Sequence, residues 1–126
     1  MHFDPVDYAV LAVAILHIVF MLAESMAWPF LARRLLGVPS EIGEATAPVG
    51  LNQGLYNGFL AAGLLIALFA GFGGAPTLLL TVFLLACVVI AGVIGALSLR
   101  RPLFLLFQSV PAVVALLFVF RVLGGA

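Results

Sequence analysis

Two ionisable side chains, His17 and Glu24, stand inside the first long apolar segment of the chain. They are seven residues apart, nearly two turns of α-helix, so both lie on one face, with Met21 between them and Trp28 one turn beyond. An imidazole and a carboxyl on one stripe have the chemistry to accept and release protons, to hold a cation or to flank the polar group of a ligand. A second segment opens Asn52-Gln53-Gly54-Leu55-Tyr56-Asn57-Gly58, three carboxamides and a phenol within six residues. Gln53 and Asn57 share a face one turn apart, with Tyr56 beside them. Asn52 is placed to cap a helix starting near Leu51, whereas Asn57 lies too far inside that helix for capping to explain it. Gln108, in the last apolar segment, sits above Ala112 and Ala115 on one face.

Such residues are costly where these stand. Of 126 residues 66% are hydrophobic and 8% charged, against roughly 45–50% and 25% in a soluble domain. Five acidic and five basic side chains could not cover a soluble protein of this size. Soluble, disordered and nucleic-acid-binding classes are excluded, and the partner the composition demands is a lipid bilayer. Within it an ionisable residue costs about 2.5–3.5 kcal/mol at a helix centre on insertion scales, so each needs a reason. A carboxyl there is stable as the neutral acid, or as a carboxylate held by several donors.

The fold class this implies is all-α, a polytopic four-helix antiparallel bundle in a single membrane domain. Its helices are expected over residues 6–31, 51–72, 77–99 and 103–123. Each has about 20 residues or more, enough to span about 30 Å of hydrocarbon. Asp4-Pro5 opens the first; a Gly-rich turn ending in Pro76 separates the second from the third; Arg100-Arg101-Pro102 separates the third from the fourth. The first loop, residues 32–50, is expected to lie mostly on the surface, with one helical turn over Ser40–Glu44. Arg33, Arg34, Arg100 and Arg101 fall in loops on one side and Arg121 alone on the other. By the positive-inside rule that places both termini outside the cytoplasm. The acidic N-terminus lacks the basic start of a signal peptide, so the first segment is expected to be retained. Gly54 with Gly58, Ala91 with Gly95 and Gly92 with Ala96 have the spacing of close helix packing, within the bundle or, alternatively, across a homodimer. Cys87 is alone, so no disulfide forms within the chain; no metal ligand set and no cofactor motif is present, and a haem on His17 would lack its second ligand.

Depth ties the polar residues together. Glu24 precedes the end of the first helix by about seven residues; Asn57 and Gln108 follow the starts of theirs by about six and five. At 1.5 Å per residue all three lie roughly 8–11 Å below the same membrane face, with His17 about 10 Å deeper. Three helices reaching one level predict a polar pocket formed by His17, Glu24, Trp28, Asn52, Gln53, Tyr56, Asn57 and Gln108. Trp28 also fits an interfacial anchor, and His17 a hydrogen-bonded structural imidazole.

His17, Glu24, Trp28, the run Asn52-Gln53-Gly54-Leu55-Tyr56-Asn57-Gly58-Phe59-Leu60-Ala61, Ala91-Gly92 with Gly95-Ala96, and Gln108 with Pro111-Ala112 resemble the pattern of a small bacterial membrane family, domain of unknown function 1304. The resemblance covers nearly the whole chain; it implies four transmembrane helices and a bacterial inner (cytoplasmic) membrane location, and no activity. Three functions remain in contention. One is binding or transport of a small amphipathic molecule at Glu24, in outline similar to small multidrug exporters, although the amide cluster departs from their pattern. Another is a membrane enzyme on a lipid-like substrate, with His17 and Glu24 as acid and base, as the parts of sterol-isomerase-like bundles suggest by analogy. The third is a bundle whose polar network only fixes helix register.

Overall fold

The computed structural model describes residues 3–70 and 73–124, and every element among them is helical. Helix α1 (Pro5–Leu31) starts on Asp4, whose carboxylate accepts from the Val6 and Asp7 amides, while Asp7 returns a bond to the Asp4 amide. That reciprocal cap, with Pro5 in the first turn, is the signal the sequence carries. Beyond Leu31 the chain stays helical through a π-turn over Ala32–Leu36, and Gly37 closes it at φ 72. A short helix α2 (Ser40–Ala45) crosses to α3 (Ala47–Phe69), and α4 (Gly74–Leu99) follows. After α4 the left-handed Arg100 turns the chain, with the Arg101 amide donating to the Ala96 carbonyl at 3.0 Å. The last span holds a π-turn over Leu105–Ser109 that runs into α5 (Val110–Gly124).

Four helical stretches, Pro5–Leu36, Ala47–Phe69, Gly74–Leu99 and Leu105–Val122, are long and apolar enough to cross a membrane. The protein is a multi-pass membrane protein with the four-helix all-α bundle its sequence predicts. Some bounds differ from expectation. The second span starts at Ala47 rather than Leu51, because Pro48 sits in its first turn, where a missing amide proton is harmless. Asn52 is therefore inside the helix and caps nothing, a correction to its expected role. The third span starts at Gly74, three residues early, and the expected end of the second at Phe72 lies outside the described residues.

The helices form a closed ring in which α1 packs on α3 and α5, and α4 on the same two. The core is small and aliphatic: Val10, Val13 and Ala14 of α1, Leu64 of α3, Leu85 and Val88 of α4, Ala112 and Ala115 of α5. Large apolar side chains face outward on every span, among them Val19, Phe59, Ile90 and Leu117. In water that surface would be a liability; against lipid it is the required exterior.

Candidate functional site

Glu24 is carried by the most tightly packed seam of the bundle. Helix α3 presents Gly50, Gly54 and Gly58, one turn apart, to α1. A Cβ at Gly50 would overlap the Trp28 side chain. One at Gly54 would overlap Ser25 Oγ and stand 2.8 Å from the Met21 carbonyl oxygen, and one at Gly58 would come within 2.7 Å of Met21 Sδ. The absent side chains let the backbones close up where lipid offers no hydrophobic drive. The Gly54–Gly58 pair thus packs within the chain, and Gly50 extends it by a turn that sequence reading did not include.

Across this seam the Asn57 carboxamide donates to Glu24 Oε2 at 2.6 Å and to the Gln53 backbone carbonyl at 3.2 Å. Both donors of one NH₂ are used, and the second bond fixes the rotamer that aims the first. Glu24 and Asn57 are 33 residues apart in sequence and half-buried, so the expected common level holds for this pair. Just past Glu24 the first helix breaks: Ala27 leaves helical geometry at φ −129 and ψ 24, two residues ahead of Pro29. Pro29 has no amide proton for the Ser25 carbonyl, so the bend lies where the ladder loses a bond.

His17 is almost wholly enclosed, 1% exposed. Its Nδ1 stands 2.9 Å from the Val13 carbonyl, which can only accept, so Nδ1 carries the proton and Nε2 offers its lone pair. Nε2 is buried with no partner among the described residues, while the ring meets Phe20 edge-on at 5.5 Å. Trp28 lies over Gly50 and donates its indole N–H to Thr46 Oγ1 at 3.0 Å, and Thr46 itself donates to the Ile42 carbonyl at 2.7 Å. Trp28 is thus a latch that ties the α2–α3 corner to α1. Thr46 was missed in the sequence; a lone Thr before Ala-Pro carries no signal of a partner 18 residues away.

The remaining candidates stand elsewhere. Asn52, Gln53 and Tyr56 are exposed, and the Tyr56 ring packs on Phe59 at 6.1 Å. Gln108 is half-buried with its Cβ against Gly92 of α4, and its side chain makes no hydrogen bond among the described residues. Its neighbour Ser109, 5% exposed, takes the interior position and donates to the Val89 carbonyl at 3.0 Å. The π-turn over Leu105–Ser109 changes the angular register of this span, so the face counted back from Ala112 in regular α-helical steps no longer applies. Of the eight candidates the structure joins Glu24 to Asn57 by a side-chain bond and sets His17 and Trp28 on the same helix either side of them.

No curated protein and no solved structure matches this chain. A family match runs over residues 11–120 and takes in the glycine seam, the Glu24–Asn57 pair, His17, Trp28 and the π-turn of the last span. The chain belongs to that family, described as a protein of unknown function (DUF1304).

Proposed function

We propose that this protein binds a small amphipathic molecule within the membrane, and carries it across, at a polar site centred on Glu24. The observation that carries the reading is the Glu24–Asn57 hydrogen bond inside the apolar spans. A carboxyl whose only task was to hold two helices together could be replaced by a carboxamide at lower insertion cost. Asn57 orients Glu24 through one oxygen, and the other makes no hydrogen bond among the described residues. The bend at Ala27–Pro29 supports the reading, since a broken helix beside an intramembrane carboxyl is where polar backbone and side chain can face one ligand. In a bacterial inner membrane, the location the family resemblance implies, the Arg distribution favours a Glu24 level near the cytoplasmic face and both termini outside.

A second reading, an enzyme acting on a lipid-like substrate, draws on the buried Nε2 of His17, which has no hydrogen-bond partner among the described residues. The seven-residue spacing separates it from Glu24 by about 10 Å along the helix, so the two would act on different parts of one substrate.

The test is mass spectrometry of small molecules retained by the detergent-purified protein. Wild type should retain a cationic or zwitterionic amphiphile that Glu24→Gln loses while keeping its helical content and thermal stability. Equal retention by both proteins would reduce the pair to a register-fixing contact. Recovery of the ligand in chemically altered form, dependent on His17, would favour the enzyme.

A further inference from the structure

At the opposite end of the bundle from Glu24 residues of all four spans line an open cavity of about 260 Å³. Asp4 and Asp7 line it from the start of α1, Ala67 from α3, Thr77 and Thr81 from α4, and Val119 from α5. The capping box accounts for only part of this polarity. Asp4 Oδ1 accepts from the Val6 and Asp7 amides at 2.7 and 3.0 Å, and Asp7 Oδ2 from the Asp4 amide at 3.1 Å. The other oxygen of each carboxylate makes no hydrogen bond among the described residues.

The threonines are the independent observation. Thr81 is 7% exposed, and its hydroxyl makes no hydrogen bond among the described residues. Thr77 Oγ1, one turn away on the same wall, is fully enclosed and also without a partner among them. A helical threonine ordinarily returns its hydroxyl to the carbonyl one turn back, and a buried hydroxyl left unpaired calls for an explanation. Thr77 Oγ1 is such a hydroxyl, and the Thr81 side chain, nearly buried on the same wall, is likewise without a hydrogen bond among the described residues.

We infer that this vestibule is a binding site for a small organic monocation. Two carboxylates give it negative charge, and no Lys, Arg or His is among the described residues that line it. The Thr81 hydroxyl supplies an acceptor oxygen deeper in, and Val10 and Val119 supply apolar wall for alkyl groups. An inorganic cation would use the carboxylates and waste the walls; a neutral lipid tail would use the walls and waste the carboxylates. The cavity is slightly below the roughly 300–1,000 Å³ of drug-sized pockets, which limits the occupant to short-chain ammonium compounds. The site shares no residue with the Glu24 pair and stands independently of the function proposed there.

The experiment is equilibrium binding of radiolabelled tetraethylammonium to the full-length protein in a neutral detergent. Wild type should bind saturably, with affinity falling as salt is raised. The double variant Asp4→Asn/Asp7→Asn should weaken binding by at least about tenfold while folding normally, because Asn caps a helix as well as Asp does. Thr81→Leu, which fills the cavity, should abolish binding, and Glu24→Gln should leave it unchanged; circular dichroism verifies the fold of each. Absence of saturable binding to wild type would overturn the inference. So would binding that survives the Asn pair and is lost in Glu24→Gln, which would assign the cation to the Glu24 site. Displacement by equimolar Mg²⁺ would overturn the choice of an organic occupant.

Discussion

Two seams of the bundle are built from the same part, a helical glycine beneath a serine of the neighbouring helix. On one, a Cβ at Gly54 would overlap Ser25 Oγ; on the other, a Cβ at Gly92 would overlap Ser109 Oγ. They differ in what lies beside the glycine. At the α4–α5 seam Ser109 donates to the Val89 carbonyl, and its one hydroxyl proton is used. At the α1–α3 seam the polar partners are a carboxyl and a carboxamide, four polar heavy atoms of which only Glu24 Oε2 and Asn57 Nδ2 are hydrogen-bonded among the described residues. Close approach of helices therefore explains the small residues in both places, and explains the side-chain chemistry in only one.

The widest separation between the seams should come from filling them. Gly54→Ala pushes a methyl group against the Met21 carbonyl, and Gly92→Ala pushes one against the Ser109 amide nitrogen 2.9 Å away. Each should cost about 1–3 kcal/mol of stability, read by thermal unfolding in detergent. Only Gly54→Ala should also remove ligand retention, because only there does the displaced helix carry Glu24. Loss of ligand in both variants would abolish the distinction.

Next in size is Glu24→Ala, which strands a half-buried carboxamide donor and should cost about 1–3 kcal/mol. Glu24→Gln keeps an acceptor for Asn57 and should stay within about 0.5 kcal/mol of wild type. Ser109→Ala should cost about 0.6 kcal/mol, the average for a hydrogen bond between membrane helices, with no change in ligand retention. The smallest effect is Thr46→Val, below about 0.5 kcal/mol, since water can replace the hydroxyl at an interfacial indole. It is still measurable. Trp28 is the only tryptophan, so its emission maximum should shift when the indole loses Thr46, and a spectrum identical to wild type would dissolve the latch.

What could be read from the sequence, and what could not, divides along the same lines. The spans were visible because each is a long apolar run bounded by Pro, Gly or Arg, a signal that needs no knowledge of neighbours. Glu24 and Asn57 could be matched because regular helices convert residue number into depth. Gln108 could not, because a π-turn changes register without any residue that announces it, and Ser109 took the interior position. Ala47–Gly50 read as loop because Pro and Gly break chains locally; here Pro48 begins a helix and Gly50 makes room for an indole on another one. The indole bond to Thr46 and the buried Thr77 hydroxyl, unpaired among the described residues, are products of packing between distant segments, and no local pattern encodes them.

The 33 residues between Glu24 and Asn57 also set an order in time. At about 5–20 residues per second of synthesis, the carboxyl is made roughly two to seven seconds before its donor. Helix α1 thus leaves the ribosome with its most expensive side chain unpartnered, and remains so until α3 follows. The glycine face of α3 is what ends that interval, since it lets the second helix dock along α1 as soon as both are made. Glu24 therefore becomes cheap to hold in lipid only as half of a helical hairpin, and that hairpin, rather than either helix alone, is the unit the membrane receives.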